Sequence, residues 1–540
     1  MIKQVKQVIW APEKPCYRAE MLLDLPPSAE FVFRNSNNMC PILPGSPAFT
    51  PSAPDCEMPS QDVIVVGDAA SKRYILAGAI TAHRSMTYFT LVKRGRFHSI
   101  LVKQPEIAPD AVPEEVIVLE GDDWRKLLTQ YADQAARAMA VKPIKAEKNM
   151  TGYCTWYYYY ADVTEKDFLE NLEALKEKKD SCYSAQVVQI DDGYQTFQGD
   201  WLDQDPSWPT PLAEIGKRIT DAGMQAGIWT MPMLASTASR VYREHPDWFV
   251  RRQDGSVLEI HGWSPPPDHL WVCLDATQEA VREHLRNVFQ TFRKWGFTYF
   301  KMDGLCYGLP QGKRSDPNAT AVSAFRLAMK TIREAVPDAT LLGCCPPYMP
   351  LLGLVDNCRV SPDTSRYYHP ERPVTNCDYA AGNCCIANAY HATISRFWWF
   401  DRFFRADPDT LMARQDNAFY TIGEARISVI TGILTGVSIT SDHLGRIAPD
   451  RLELLGRAAR YRLRNAMPAD WEPDRWPQIF TGSVDGQNAA AVVNDSDKTM
   501  TYDFADLGLT GTAEEVLQPM GKITGSITLP PHDAALLIQC

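Results

Sequence analysis

Charged residues recur in this chain where short apolar runs end. Lys301-Met302-Asp303 closes one run, Gln189-Ile190-Asp191-Asp192 a second, and Arg359-Val360-Ser361-Pro362-Asp363 a third. Lys301 and Asp303 are two residues apart, so on a strand they share a face while Met302 points to the opposite, apolar side. An ammonium beside Asp303 favours the ionised carboxylate, which is the form a carboxylate nucleophile needs. Arg359 and Ser361 share a face by the same parity. Asp363 follows a strand-ending proline, a loop position suited to a proton donor. Two carboxyls in unlike surroundings, one attacking and one protonating, meet the chemical requirement of glycoside hydrolysis.

Each feature also has a plainer reading. Asp191-Asp192 can be structural, Lys-x-Asp can be a rim ion pair, and Trp229 and Cys344 can be core. The tyrosine run 157–160 reads as interface and core. Co-location decides, because these residues fall at successive strand ends.

The elements that would position them alternate from about residue 150. Apolar runs at Tyr153–Tyr159, Ala185–Ile190, Ala226–Thr230, Leu270–Leu274, Thr298–Met302, Thr340–Gly343 and Cys358–Val360 are interleaved with amphipathic stretches. The helices include Thr164–Lys178, Pro211–Ala222, Thr237–Glu244, Ala280–Trp295 and Ala319–Ala335, with a short element at Met349–Leu354. Thr164 and Pro211 are good helix starts, and Gly223 and Gly296 sit where helices end. Seven such units imply a parallel sheet, and an eighth strand near Phe403–Ala406 would close a barrel whose strand ends form one mouth. Helices at Ile422–Leu434 and Arg451–Tyr461 would complete it. The mouth would also receive Cys154, Trp156, Trp229, Asp275, Cys344, Asp407 and Asp409. No G-x-G-x-x-G follows a strand, which argues against a dinucleotide-type doubly wound sheet.

Before and after this stretch the texture is short β-branched runs broken by Pro, Gly and Asn. The fold expected is a central (β/α)8 barrel over 146–472, flanked by an N-terminal β-sandwich-like domain over 1–145 and a small C-terminal antiparallel β domain over 473–540. The composition, 45% hydrophobic and 22% charged, is that of a globular protein. Lys plus Arg number 55 and Asp plus Glu 66, giving a net charge of −11. An acidic chain without a basic run is a poor partner for nucleic acid or an anionic membrane. No signal-like or membrane-spanning run is present. The 14 cysteines are scattered, without a zinc-type Cys-x-x-Cys pairing. The expectation is a cytoplasmic protein with reduced thiols, no metal and no cofactor; its oligomeric state is left open.

The segments Gly152–Tyr157, Gln189–Tyr194, Gly199–Trp201, Gly227–Pro232, His245–Trp248, Tyr299–Asp303, Gly343-Cys344 and Arg359–Thr364 together resemble glycoside hydrolase family 36, the bacterial α-galactosidases. The resemblance runs from about Thr151 through Asp409. It implies a retaining, exo-acting α-galactosidase with Asp303 as nucleophile and Asp363 as acid/base. It further implies that Asp191 and Asp192 bind the sugar 4- and 6-hydroxyls and that Lys301 holds hydroxyls near the reacting side. Trp156 and Trp229 would pack on the sugar, and Cys344 and Arg359 would line the pocket near O2. The chain departs from the family in three places. Gly304 replaces a larger residue after the nucleophile, Cys345-Pro346-Pro347 replaces a Gly/Ser-rich turn, and Asn35–Cys40 lacks the tryptophan that relatives contribute. A further rim element is the insert 366–385. The substrate implied is an α-galactoside oligosaccharide or glycoconjugate, with α-N-acetylgalactosamine or another α-glycoside as the alternative on the same machinery. Two other classes compete: a Mg²⁺-dependent barrel lyase using Asp191, Asp192 and Asp275, and a carbohydrate-binding protein without catalysis. The binder has no need of an acid/base pair.

Overall fold

The computed structural model describes residues 2–7, 15–36, 49–108, 110–144, 148–179, 181–260, 270–370, 384–471, 475–518 and 520–540. The N-terminal part is two five-stranded antiparallel sheets packed face to face. Strand periodicity sorts its side chains. Ile64, Val66, Ile75 and Ala77 fill the space between the sheets with Met21, Phe89, Leu91, Ile100 and Val102. Their neighbours Val63, Val65 and Leu76 face outward onto the helix Trp124–Ala138. Asp123 caps that helix by accepting from the Arg125 N–H at 2.9 Å. Gly78 lets the helix settle, because a Cβ there would lie 2.4 Å from the Tyr131 ring. The Tyr131 hydroxyl donates to the Ala79 carbonyl at 2.7 Å.

The centre is an eight-stranded parallel sheet. Its strands are β1 Met150–Cys154, β2 Val187–Ile190, β3 Gln225–Thr230, β4 Phe297–Met302, β5 Thr340–Gly343, β6 Asn357–Arg359, β7 Arg405–Asp407 and β8 Val437–Thr440. Sequential strands are neighbours throughout, and β8 returns to pair with β1. Between β7 and β8 the Leu411 N–H donates to the Ile439 carbonyl at 2.6 Å, so the sheet is a nearly closed barrel. Inward residues Met150, Cys154, Val187, Tyr299, Leu342, Val437 and Ile439 plug its interior. Alternate residues Val188, Ile190, Ile228, Phe300 and Met302 pack under the surrounding helices. Met302 therefore faces the helix layer, as its parity with Lys301 and Asp303 requires. The helix after β1, Glu165–Glu177, starts at a capping box formed by Thr164 and Asp167. Gly223 and Gly296 take φ values of 81° and 96° just past helix ends.

Three assignments differ from the sequence reading. Leu270–Leu274 is not a barrel strand: Trp271–Cys273 joins Leu234–Ser236 and Glu259–Ile260 in a separate antiparallel sheet. A short apolar run looks alike in a parallel barrel and in a hairpin, and only its partners distinguish the two. Arg405–Asp407, near the expected eighth strand, is the seventh. The eighth, Val437–Thr440, begins directly after Gly436, whose φ of 74° ends the helix Ile422–Thr435. With no polar linker between them, strand and helix merge into one apolar pattern. The run Tyr153–Tyr159 splits, since the strand stops at Cys154 and Trp156–Tyr159 forms a helical turn. Residues 37–40 of the Asn35–Cys40 stretch and 371–383 of the insert lie outside the described residues.

The C-terminal part is a six-stranded and a two-stranded antiparallel sheet beginning at Arg464–Pro468. It is fastened to the barrel by a two-pronged Arg426–Asp533 pair, both bonds 2.7 Å.

Candidate active site

The end of β4 delivers Asp303. Its N–H donates to the Thr230 carbonyl at 2.7 Å, extending the ladder with β3, in which Trp229 lies opposite Lys301. One carboxylate oxygen accepts from the Trp229 indole N–H at 3.2 Å, and the other from the Gly304 N–H at 2.7 Å. Gly304 has a φ of 59°, a turn that aims its N–H back at the carboxylate. Burial pushes the Asp303 carboxyl up. The Lys301 ammonium, donors from Cys345 and Gly304, and the Arg359 charge outweigh it, and the net pKa is below the usual carboxylate value. Asp303 is thus held as a carboxylate with an open side toward the mouth.

Lys301 does not touch Asp303. Its ammonium bonds Asp191 at 2.8 Å, and both side chains are buried. Burial opposes the lysine charge, but Asp191 beside it holds the pKa well above the usual value. Asp191 also accepts from the Cys154 thiol at 3.2 Å and from the Asp192 N–H at 3.0 Å. Asp192 follows where the strand has ended and accepts from the Gln195 amide. Burial raises its pKa to about 6 against the Gln195 bond, and the charges of Asp191 and Asp303 add to the rise.

β6, separated from β4 by β5 alone, ends in Arg359, which is 2% exposed and is the hub of the adjoining wall. Its guanidinium donates to Asp363 at 2.5 Å, to the Ser361 hydroxyl at 3.3 Å, to the Cys344 sulfur at 3.5 Å and to the Tyr157 hydroxyl at 3.4 Å. It also lies 2.8 Å from Asp409. Asp363 is the more open of its two carboxylates, with its side chain 37% exposed. Asp409 is buried, accepts from the Thr364 N–H at 2.8 Å and from the Tyr157 hydroxyl, and sits at a φ of 79°. Burial drives its pKa up to about 7; Arg359 opposes the rise and the Asp363 charge adds to it. One guanidinium faces two carboxylates, so the second ionises reluctantly. Cys344 completes the circuit, with its sulfur on Arg359 and within 4.8 Å of an Asp303 oxygen.

The structure therefore gathers Asp303, Asp191, Asp192, Lys301, Trp229, Cys344, Arg359 and Asp363 at one end of the barrel. Trp156, half-buried, opens the helical turn after β1 and packs against the inner core. Asp275 is elsewhere. It accepts from the Thr277 N–H at 3.1 Å and the Ser315 N–H at 2.7 Å, and so caps a turn. The tight hold of Asp409 and Tyr157 on Arg359 was not assigned from sequence. Strand-end position pointed to Asp409, whereas nothing in the tyrosine run singles out Tyr157. A cavity of about 770 Å³ lined by Glu165, Glu170 and His443 lies outside the mouth, beside the helix Glu165–Glu177. Among the described residues, Asp303, Cys344 and Cys345 are grouped closely enough to hold a metal ion.

The architecture is a nearly closed eight-stranded parallel barrel with carboxylates at its strand ends. Residues 113–320 match the family model described as Melibiase, a stretch that runs from the N-terminal part into the barrel. It is 31% identical over 182 residues to an A type blood α-D-galactosamine galactosaminidase of Flavonifractor plautii, covering 31% of this chain and 17% of that protein. It is 28% identical over 195 residues to α-galactosidase AgaA of Geobacillus stearothermophilus, covering 34% of this chain and 25% of that one. The chain thus spans a quarter or less of the length of these curated relatives. The fold is shared with the Thermus thermophilus α-galactosidase TtGalA, solved with p-nitrophenyl α-D-galactopyranoside. The TM-score is 0.68 at 22% identity, over 90% of this chain and 95% of that one. AgaA of Geobacillus stearothermophilus superposes with a TM-score of 0.61 at 12% identity, over 97% and 78% of the two chains. Among the described residues no helix is long and apolar enough to cross a membrane.

Proposed function

We propose that the protein is a retaining, exo-acting α-galactosidase that releases terminal α-galactosyl residues from oligosaccharides or glycoconjugates. The observation that carries this reading is the continuous path Asp303–Cys344–Arg359–Asp363. It puts an ionised, half-buried carboxylate at the end of β4 and a more open one just past β6, with only β5 between them, at one mouth. Asp303 attacks the anomeric carbon as the bond to the leaving oxygen breaks, and Asp363 gives that oxygen its proton. Asp363 then takes a proton from water, whose oxygen displaces Asp303 and regenerates the carboxylate. Asp191 and Asp192 would accept from the sugar's 4- and 6-hydroxyls, with Lys301 as a donor to neighbouring hydroxyls. Trp156 and Trp229 would flank the ring, and Cys344 and Arg359 would border O2. No metal or cofactor enters these steps.

A second reading, α-N-acetylgalactosaminidase, is favoured by the turn at Cys345 beside the site, and the Flavonifractor plautii relative is named for α-D-galactosamine, a sugar that also carries nitrogen at its 2-position. A panel of p-nitrophenyl α-galactoside, α-N-acetylgalactosaminide and α-glucoside, with Asp303→Ala as control, decides between them. Hydrolysis of none of these overturns both readings. The remote lyase reading loses its ligand set, because Asp191 is taken up by Lys301 and Asp275 caps a turn. A cytoplasmic location is supported by the free thiols of the described cysteines. The domain limits proposed from the sequence are 1–145, 146–472 and 473–540, while the C-terminal sheet already takes in Arg464–Pro468.

A further inference from the structure

Directly beneath Asp303 the chain places two adjacent cysteines on the same side. Along a regular strand successive side chains alternate, and Cys345 would face away from Cys344. Instead Cys345 adopts a φ of 49°, and both sulfurs converge on the Asp303 carboxylate, all three ligand atoms within 4.8 Å of one another. Cys344 and Cys345 are buried, Asp303 is half-buried toward the mouth, and Cys306 packs against the two thiols. The glycosidase steps above give Cys345 no contact with substrate.

We propose that Asp303, Cys344 and Cys345 form a site for a thiophilic divalent cation such as Zn²⁺ or Cd²⁺, whose binding captures the attacking carboxylate. Metal–sulfur bonds of about 2.3 Å and metal–oxygen bonds of about 2.0–2.2 Å put tetrahedral ligands roughly 3.3–3.8 Å apart, so an inward shift of about 1 Å closes the triad. On binding, each thiol releases its proton to solvent and donates a sulfur lone pair, with no change of oxidation state. Two thiolates and one carboxylate around a divalent ion leave one net negative charge. Arg359, 3.5 Å from the Cys344 sulfur, and Lys301 on the adjoining strand oppose that surplus. The mouth supplies the entry path, and water from it the fourth ligand.

The cation site is independent of the glycosidase reading; the consequence that it blocks turnover rests on that reading. The test is a Cd²⁺ titration of the fully reduced full-length chain without substrate, following the ultraviolet cadmium–thiolate charge-transfer band. The exposed Cys182 and Cys540 are first changed to Ser to silence them. The expected result is a saturable band at one Cd²⁺ per chain, lost in Cys345→Gly, a change that suits the positive φ and so preserves the fold. A band that survives Cys345→Gly at the same stoichiometry, or no band in the parent chain, overturns the site. Hydrolysis of p-nitrophenyl α-galactoside measured in the same samples should fall with the midpoint of the band. A band in a chain that hydrolyses no α-galactoside supports the site and refutes the α-galactosidase reading alone. Hydrolysis that continues unchanged through saturation of the band overturns the capture of Asp303.

Discussion

Removing the charge of Lys301 tests how the floor of the mouth is held. Lys301 and Asp191 form a 2.8 Å pair with side chains 7% and 2% exposed. Lys301→Met leaves a shape close to the original and a buried carboxylate facing hydrocarbon. Breaking one side of a buried pair costs about 3–5 kcal/mol, because the surviving charge has no compensation. The Cys154 thiol and the Asp192 N–H still reach Asp191 and keep the loss from going higher. Asp191→Asn should also destabilise, since the ammonium is then stranded. The double change removes both charges and should cost less than the sum of the two by at least about 1.5 kcal/mol, within the range of coupling found for residues in contact. Urea unfolding of the four proteins at neutral pH measures this cycle without reference to catalysis. Additive effects of the two substitutions would refute the claim that Lys301 serves Asp191.

Asp303→Ala should lower turnover by several orders of magnitude in a folded protein, and added azide should restore part of it as a β-glycosyl azide. Because the folded pKa of Asp303 is depressed, its contribution to stability is present above the unfolded value of about 4 and fades as pH falls through the lower folded value. Acid titrations followed by circular dichroism should therefore show Asp303→Asn losing less stability below about pH 4 than the parent. The α-galactoside should exceed the α-glucoside by at least roughly tenfold to a hundredfold in kcat/KM, since the wrong O4 leaves a buried carboxylate unpaired. That preference should weaken as pH falls through about 6, where Asp192 takes up its proton, and a constant ratio across this range would contradict the role given to Asp192. Exhaustive EDTA treatment should leave hydrolysis intact, and loss restored by Mg²⁺ would revive the lyase reading.

Period and punctuation carried most of the barrel into view. Glu165–Glu177 and Glu279–Lys294 lie where apolar spacing and end residues put them, and the parity of Lys301 and Asp303 gave the correct inward face. What stayed hidden depends on partners distant in sequence. Trp271–Cys273 has the local character of a barrel strand, but its hydrogen bonds go to Leu234–Ser236 and Glu259–Ile260. The ammonium of Lys301 lies on the expected face yet turns to a carboxylate from another strand, since Asp191 offers a buried oxygen that Asp303 does not. The link from Arg359 to Tyr157 and Asp409 joins β6 to residues 202 positions before and 50 after it, a relation no spacing rule reports. The strand ends named the carboxylates; the folded chain decides which cation each one meets.

The segment between β3 and β4 has a consequence for how such a chain can change. The described residues of 231–260 and 270–296 leave the barrel, build a small sheet and a long helix, and return, while Trp229 and Lys301 remain paired in register. The Asp303 backbone is tied to Thr230, not to the excursion. Change at its exposed stretch 252–256 thus leaves the ladder of Trp229, Lys301 and Asp303 in register, whereas the buried Met231, Leu234, Ala235 and Val250 hold the base of the excursion in place. An outer wall that changes around a fixed floor lets a lineage alter what surrounds the mouth while the pair Trp229–Asp303 is kept.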